Sequence, residues 1–190
     1  NELPLKGPGN LENVLAAATT ASIFKIPIDR IQSAIRDFTP LPHRLEPAGE
    51  YKGIKFYNDS LATIPEAVIN ALEALGRDVE TLIAGGFDRG LDFTILGQYL
   101  SEKQIKTIIL FPETGQKLWA ALCQFMPEGE RPQKYEVRTM EEAVQIAFQV
   151  TMPGKICLLS SGAPSFGIFK DYADRGDIFK KLIKDMGGEP

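Results

Sequence analysis

The sequence predicts an α/β fold, a Rossmann-like doubly wound sheet that is mostly parallel and follows a short helical segment. From about residue 43 onward, segments with strand-like alternation and segments with helical spacing follow each other in turn. Three short apolar runs, at residues 81–84, 107–111 and 156–159, have the length and composition of strands buried on both faces. Such a sheet carries helices on both of its faces.

Residues 1–42 differ from the rest because they show helical spacing and no strand pattern. Residues 13–24 and 29–38 predict two short amphipathic helices that form a hairpin. Gly7 to Asn10, just before them, predict a turn and an N-cap. Because the hairpin cannot cover its own apolar face, we expect it to pack on the following domain or to belong to a larger unit. The opening at Asn1, without methionine, is consistent with an excised piece of a longer protein.

The remaining elements follow in chain order. A hairpin of two strands, at residues 46–51 and 53–57, comes first. The pattern then predicts helix 65–75, strand 79–84, helix 94–102, strand 105–111, helix 113–124, strand 134–137, helix 140–150, strand 155–159 and a terminal helical stretch at 166–187.

The segment from Phe56 to Glu66 is a strand-to-helix corner, because the apolar spacing changes from alternating to helical within it. Thr63 and Glu66 have the spacing of a capping box, which predicts side-chain caps on the following helix. The amide groups of such a helix start can bind a carboxylate or a phosphate. Capping accounts for Thr63 and Glu66, but it does not account for the polar run from Asn58 to Ser60.

Composition limits the class of protein. The chain has 190 residues, 44% of them hydrophobic and 24% charged, which is ordinary for a globular domain with a substantial core. Its net charge is −4 and its Lys and Arg residues are dispersed, so we expect no nucleic-acid partner.

The two cysteines, Cys123 and Cys157, lie in apolar surroundings without metal-ligand spacing, which predicts free thiols in a reducing cytosol and no structural zinc. The sequence contains no signal-peptide pattern and no apolar run of membrane-spanning length. We therefore expect a cytoplasmic protein without a membrane partner.

Ligands of doubly wound sheets bind beyond the carboxyl ends of the strands. Three polar loops follow predicted strands there, at residues 59–63, 85–90 and 160–167. In the second loop, Gly85 and Gly86 permit close backbone approach and Arg89 can bind a carboxylate through two hydrogen bonds. Ser161 and Ser165 add hydroxyl groups. Each loop alone is more typical of connecting structure, but their shared position predicts a carboxylate-binding pocket.

Two other enzyme classes fit the sequence less well. A dinucleotide-binding Rossmann domain is disfavoured because no Gly-x-Gly-x-x-Gly follows the first strand, and the chain has no Gly-x-x-x-x-Gly-Lys-Ser/Thr phosphate loop. A triad hydrolase is disfavoured because the single histidine, His43, has no nucleophile motif beside it. We expect His43 to have a hydrogen-bonding role at the domain boundary.

Four motifs in order resemble those of the Mur ligases, and the resemblance covers essentially the whole chain. They are Leu-Pro-His-Arg-Leu-Glu at residues 41–46, Asn-Asp-Ser-Leu-Ala-Thr at 58–63, Gly-Gly-x-Asp-Arg-Gly at 85–90 and Ser-x-x-x-Phe-Lys-x-Tyr-x-x-Arg-Gly-Asp-x-Phe at 165–179. The resemblance implies that residues 1–42 are the helical tail of the central ATPase domain. It also implies that residues 43–190 are the C-terminal domain, which binds the incoming amino acid.

The resemblance implies an ATP- and Mg2+-dependent ligase that makes an acyl phosphate and lets an amine attack it. The expected substrates are UDP-N-acetylmuramoyl-L-alanine and glutamate, in peptidoglycan precursor synthesis, and the expected state is a monomer. The phosphate loop, the metal ligands and the UDP-binding domain would lie upstream of residue 1. No catalytic or metal-binding residue is therefore expected within this chain, which should not catalyse ligation alone.

The resemblance also implies roles for individual residues. Arg44 is expected to face a phosphate and Asp59 to accept a hydrogen bond. The full ATP-binding set is Asn10, Asn13, Arg44 and Asp59. The full set for the amino-acid pocket is Ser60, Thr63, Arg89, Ser165, Phe166 and Tyr172.

The chain departs from the family pattern at several positions. Gly9 replaces a histidine and Leu61 replaces a lysine. Arg89 stands where lysine is common, Tyr172 stands where phenylalanine is familiar, and Ile64-Pro65 replaces the polar residue that usually follows the threonine. Because Leu61 cannot face an anion, we expect it to pack inward. The handedness of the glutamate stays open at this point, with D-glutamate favoured over L-glutamate. So does a second reading, in which the chain is a non-catalytic or regulatory relative that binds a small anion or a partner protein.

Overall fold

The computed structural model describes residue 4 and residues 7–188. The helices within them are α1 (Pro8–Ile23), α2 (Ile28–Arg36), α3 (Pro65–Leu75), α4 (Thr94–Ser101), α5 (Thr114–Phe125), α6 (Met140–Val150) and α7 (Tyr172–Gly187). The strands are β1 (Glu46–Tyr51), β2 (Ile54–Asn58), β3 (Val79–Gly86), β4 (Thr107–Glu113), β5 (Gln133–Glu136) and β6 (Ile156–Leu159). This succession confirms the predicted α/β class.

The six strands form one sheet in the order β1-β2-β6-β3-β4-β5. β1 and β2 are antiparallel, whereas the other neighbouring strands are parallel. β6, the last strand in the chain, lies between β2 and β3, so the chain crosses back over the sheet after β5. The carboxyl ends of β2, β6 and β3 therefore lie side by side.

Helices cover both faces of the sheet. One apolar cluster joins the sheet to α3, α4 and α5 through residues such as Val68, Leu82 and Leu122. A second cluster joins the other face to α6 and α7 through residues such as Ile83 and Phe179. Leu82 and Ile83 are adjacent on β3 yet belong to different clusters, because successive strand side chains point to opposite faces. This confirms the prediction of strands buried on both faces.

The N-terminal hairpin packs on the domain that follows it. α1 begins at Pro8, so the predicted helix start at residue 13 and the predicted turn from Gly7 to Asn10 are wrong. Proline is favoured in the first turn because its missing N–H would have no partner there. A Cβ atom on Gly9 would lie 3.0 Å from Asn70 Nδ2 of α3, which shows how closely the two helices approach.

Much of the hairpin's apolar surface stays uncovered. The exposed large apolar side chains of this region are Leu11, Leu15, Ile23, Phe24, Ile26, Ile28, Phe38 and Leu41. None of the helices in the described part of the chain combines the length and the apolar character that crossing a bilayer requires.

Two predicted features near helix starts are also wrong. Thr63 and Glu66 do not form a capping box, because α3 has Ile64 at its N-cap position, Pro65 in its first turn and no side-chain cap. A capping box does form at α6, between Thr139 and Glu142. α7 starts at Tyr172, not at residue 166, and the Asp171 side chain accepts the N–H of Asp174. Residues 160–171 are consequently a long loop.

Candidate functional site

The three polar loops meet at the carboxyl end of the sheet, as predicted. The Asp59 N–H donates to Leu159 O over 2.7 Å, and the Gly162 N–H donates to Ala62 O over 2.9 Å. The Gly85 N–H donates to Ser161 O over 2.8 Å. These backbone bonds connect the ends of β2, β6 and β3 into one continuous surface.

A cavity of about 400 Å³ opens between this surface and α1. Asn10 and Asn13 reach it from α1, Arg44 from the turn before β1, and Asp59 and Thr63 from the loop after β2. The structure thus brings all four residues of the expected ATP-binding set to one cavity. They supply amide, guanidinium and carboxylate groups, which suit a phosphate-bearing ligand with polar substituents.

Asp59 is buried in the floor of this cavity. Its Oδ1 accepts the Leu45 N–H over 3.0 Å, and its Oδ2 accepts the Ser160 hydroxyl over 2.8 Å. Burial raises the pKa of the Asp59 carboxyl to about 6, and these hydrogen bonds and the Arg44 charge oppose the rise. Asp59 is therefore a fixed acceptor whose charge changes just below neutral pH.

The turn that carries Arg44 has an unusual backbone. His43 and Leu45 flank Arg44 and have φ values of 63° and 46°. His43 is buried, and its Nδ1 lies 2.9 Å from Asn58 Nδ2, which donates to it. The His43 carbonyl accepts the Leu61 N–H over 3.0 Å. The expected hydrogen-bonding role of His43 is therefore confirmed, and these bonds fix the direction in which Arg44 leaves the turn.

Ser60 and Arg175 form a buried network below the cavity surface. Both side chains are fully buried. Arg175 Nε donates to Ser60 Oγ over 2.8 Å, its Nη2 to Ser60 O over 2.7 Å and its Nη1 to Ala163 O over 3.1 Å. The Ser60 hydroxyl donates to Tyr172 O over 2.7 Å. Ser60 thus has its hydroxyl engaged by the protein, and burial lowers the pKa of Arg175 to about 10.

Of the expected amino-acid pocket, Thr63 lines the cavity, whereas Ser60, Arg89, Ser165, Phe166 and Tyr172 are not among its lining residues. Arg89 is exposed, and its Nη2 donates to Thr63 O over 3.4 Å. Phe166 and Tyr172 are 59% and 41% exposed, whereas Ser165 is buried. The Phe166 ring meets the edge of Phe87 at a centroid distance of 6.2 Å. Thr63 is the residue that joins this group to the cavity.

Gly85 and Gly86 serve the protein's own packing. Their φ values are 98° and 151°, and a Cβ atom on Gly85 would lie 2.6 Å from Phe111 O. A Cβ atom on Gly86 would collide with Pro164 O. The predicted close backbone approach occurs, but its partners are Phe111 and Pro164 of the same chain and not a ligand.

Leu61 does not pack fully inward as expected. It is half-buried and lines the cavity, and its neighbour Ala62 takes the core position. The cavity wall is apolar at this point. The sequence reasoning also missed Arg175, which stood in the quoted motif but received no role. A buried arginine cannot be distinguished from a surface one by its position in a helical pattern.

Comparisons with known proteins point to one family. The family described as "Mur ligase, glutamate ligase domain" matches residues 43–163. The chain is 38% identical over 186 residues to the UDP-N-acetylmuramoylalanine--D-glutamate ligase of Caldanaerobacter subterraneus subsp. tengcongensis, covering 97% of this chain and 40% of that protein. It is 37% identical over 189 residues to the protein of the same name from Natranaerobius thermophilus, covering 100% of this chain and 40% of that protein.

The name of one relative specifies L-glutamate instead of D-glutamate. The UDP-N-acetylmuramoyl-L-alanine--L-glutamate ligase of Salinispora tropica is 35% identical over 191 residues, covering 98% of this chain and 41% of that protein. Among solved structures, a pseudomurein peptide ligase type C from Methanothermus fervidus has the same fold, with a TM-score of 0.71 and 17% identity over 97% of this chain and 37% of that one. The chain therefore spans about two fifths of the length of these curated relatives.

Proposed function

The chain belongs to the Mur ligase family, and from this premise we propose that it is the C-terminal part of an ATP-dependent ligase of the MurD type. Such an enzyme joins D-glutamate to UDP-N-acetylmuramoyl-L-alanine in peptidoglycan precursor synthesis. The observation that carries the proposal is the cavity at the carboxyl end of the sheet, which Asn10, Asn13, Arg44 and Asp59 line. Thr63 also lines the cavity and accepts a hydrogen bond from Arg89. Arg89 belongs to an exposed group that we call the rim, with Phe87, Phe166 and Tyr172.

On the nucleotide side, we assign Arg44 to a phosphate of ATP and Asn10 and Asn13 to its polar groups. Asp59 supplies an acceptor at a fixed position, because two protein donors already hold its carboxylate. The guanidinium binds a phosphate through parallel hydrogen bonds and offsets its charge. The cavity of about 400 Å³ is large enough for part of a nucleotide.

On the acceptor side, we assign Arg89 to a carboxylate of glutamate and Thr63 to its polar groups. The amides at the start of α3 add donors for an anion. Phe166 and Tyr172 offer exposed aromatic surface to the carbon chain, and Ser165 acts from the loop behind them. Ser60 contributes through Arg175 and the loop that it holds, because its hydroxyl is buried and engaged.

Mg2+ belongs to the proposal only as a component of the complete enzyme. Among residue 4 and residues 7–188, no three His, Cys, Asp or Glu side chains gather in a group that could hold a metal ion. Following the family resemblance, we place the Mg2+ ligands in the part of the enzyme outside this chain. The ion would neutralise phosphate charge there.

The proposal divides the chain as the family does. Residues 1–42 are the tail of the central ATPase domain and residues 43–190 are the C-terminal domain. The exposed apolar side chains of the α1–α2 hairpin support this division, because a larger domain would cover them. We place the enzyme in the cytoplasm, since ATP and UDP-linked precursors are available there. We expect it to act as a monomer. The free thiols of Cys123 and Cys157 suit that compartment.

A ligation assay with the full-length protein tests the proposal. UDP-N-acetylmuramoyl-L-alanine, ATP and Mg2+ are supplied with D-glutamate, L-glutamate, a neutral or a basic amino acid in turn. We expect product with D-glutamate. Product with a neutral or basic amino acid and none with either glutamate would overturn the assignment. Absence of turnover with every amino acid, together with binding of a small anion, would favour the non-catalytic relative.

The isolated chain gives a second test. Residues 1–190 should fold but release no phosphate from ATP in the presence of glutamate and the UDP-linked substrate. Robust phosphate release by this chain would show that the ATPase machinery does not lie in the rest of the enzyme.

A further inference from the structure

The loop that carries Arg89, residues 86–90, is held from one direction by the start of α5. The Thr114 hydroxyl donates to Gly86 O over 2.9 Å in a buried position. The Asp88 N–H donates to Glu113 Oε2 over 2.7 Å, and Lys117 Nζ pairs with Asp88 Oδ2. Glu113 is the N-cap residue of α5. Thr114 lies in its first turn, and Lys117 lies one turn later.

Glu113 has a backbone conformation that a side chain disfavours. Its φ and ψ are 64° and −88°, which lie outside the regions that residues with a Cβ atom commonly occupy. Glycine would adopt this conformation at lower cost. A strained residue other than glycine beside a ligand-binding loop points to a use for its side chain. Within the described residues, the Glu113 side chain accepts the Asp88 N–H.

We propose that Glu113 is a positioning residue for the amino-acid acceptor, which acts by fixing the backbone on which Arg89 sits. The inference rests on the proposed function, because it needs Arg89 to contact the acceptor. It concerns a residue outside the four family-like motifs, on a different strand from the three loops of the site.

The backbone on both sides of Arg89 is fixed through Asp88. Glu113 holds the Asp88 N–H, and Asp88 Oδ1 accepts the Gly90 N–H over 2.9 Å. The Arg89 side chain then extends toward Thr63, the residue that joins the rim to the cavity. A fixed loop binds the acceptor better because less disorder is lost on binding.

Three substitutions of Glu113 in the full-length enzyme separate this role from stability. Glu113→Ala and Glu113→Gly both remove the carboxylate oxygen that accepts the Asp88 N–H, whereas Glu113→Gln keeps an oxygen that can accept it. We expect the Ala and Gly variants to raise the KM for glutamate about threefold to tenfold, with kcat and the KM for ATP unchanged. The Gln variant should stay near wild type. Glu113→Gly should melt at a higher temperature than Glu113→Ala, because glycine relieves the backbone strain.

Glu136→Ala is the matched control, since it removes an exposed glutamate that pairs with Lys134 over 2.9 Å on β5. It should leave the KM for glutamate unchanged. A Glu113→Gly enzyme that is stabilised and has a wild-type KM would overturn the inference. A Glu136→Ala effect as large as that of Glu113→Ala would overturn it too.

A double mutant distinguishes failure of the inference from failure of the proposed function. If Glu113 acts through Arg89, Glu113→Ala adds no further rise in KM to an Arg89→Ala enzyme. An additive rise would contradict the inference alone. A wild-type KM for glutamate in Arg89→Ala would instead remove the premise that this rim binds the acceptor.

Discussion

Ser60 and Arg89 lie at the same end of the sheet, yet their surroundings are opposite. Ser60, with Asn58, Ala163 and Arg175, belongs to what we call the base of the site, where every one of these residues is buried. Arg89 belongs to the rim, with Phe87, Phe166 and Tyr172, where every side chain is at least partly exposed. The base is held by several short hydrogen bonds, whereas Arg89 makes one bond of 3.4 Å.

This difference separates two requirements of a binding site. The base keeps three loops in register and leaves its polar groups no freedom to meet a ligand. The rim keeps polar and aromatic groups available because they are incompletely used by the protein. Substitutions in the base should therefore change the free energy of unfolding, and substitutions in the rim should change ligand affinity with little effect on folding.

Arg175→Ala should have the largest effect and would test the base directly. It removes three hydrogen bonds from a buried guanidinium and leaves the carbonyls of Ser60 and Ala163 without those donors. We expect a loss of about 3–5 kcal/mol in the free energy of unfolding. Urea denaturation of the chain measures it. A loss similar to that of an exposed control such as Arg138→Ala would show that the base does not hold the loops.

Asp59→Asn tests a residue between base and rim, and its effect depends on pH. The pKa of Asp59 is about 6 in the folded chain, above its ordinary value of 3.8, so the folded state binds this proton more tightly than the unfolded state. The contribution of Asp59 to the free energy of unfolding should therefore fall as pH rises from about 4 to about 6. Relative to wild type, Asp59→Asn should gain up to roughly 3 kcal/mol across this range.

Urea denaturation of both proteins at several pH values measures the Asp59 effect. In the full-length enzyme the same substitution should impair ATP use despite the added stability. A pH-independent difference between the two proteins would contradict the buried, proton-binding carboxyl.

Arg44→Ala and Arg89→Ala sharpen the comparison within the site. Arg44→Ala should chiefly weaken ATP use, and Arg89→Ala should chiefly raise the KM for glutamate. Each loss of a charge-assisted pair should cost roughly 1.5 to 3 kcal/mol in transition-state binding. Steady-state kinetics with each substrate varied in turn separate the two. The same defect in both mutants would show that the two roles are not divided in this way.

Leu61→Lys should have the smallest effect on stability. Leu61 is half-buried at the cavity wall, so a lysine can extend along the wall and keep its ammonium in solvent. We expect a change of less than about 1 kcal/mol in the free energy of unfolding. The KM for ATP should fall, because the cavity assigned to the nucleotide gains a cation. An increased KM for ATP would indicate that the apolar wall itself contacts the nucleotide.

The succession of strands and helices was predictable because apolar periodicity records which side chains face the core. Runs such as 81–84 and 156–159 have few other uses in a globular chain. Errors arose where local chemistry allows two outcomes. Pro8 suits both a turn and a first helical turn, and Thr63 had the spacing of a cap although Ile64 took the N-cap position.

The site residues were predictable in groups, whereas their burial was not. The family resemblance implied that Asn10, Arg44 and Asp59 belong to one functional set, and the fold brings them to one cavity. The burial of Ser60 and Arg175 depends on how α7 packs across the loops, which involves residues more than a hundred positions apart. No local pattern contains that information. The same holds for the position of β6 between β2 and β3.

The central position of β6 also has a consequence for synthesis of the protein. Until Ile156–Leu159 has left the ribosome, β2 and β3 each lack their neighbour, so the early chain holds two incomplete sheets with exposed backbone edges. Completing the sheet requires contacts between residues far apart in sequence, and such long-range pairing is slow. A nascent chain that pauses before β6 therefore presents unpaired strands to other chains, the condition under which chaperones are most needed.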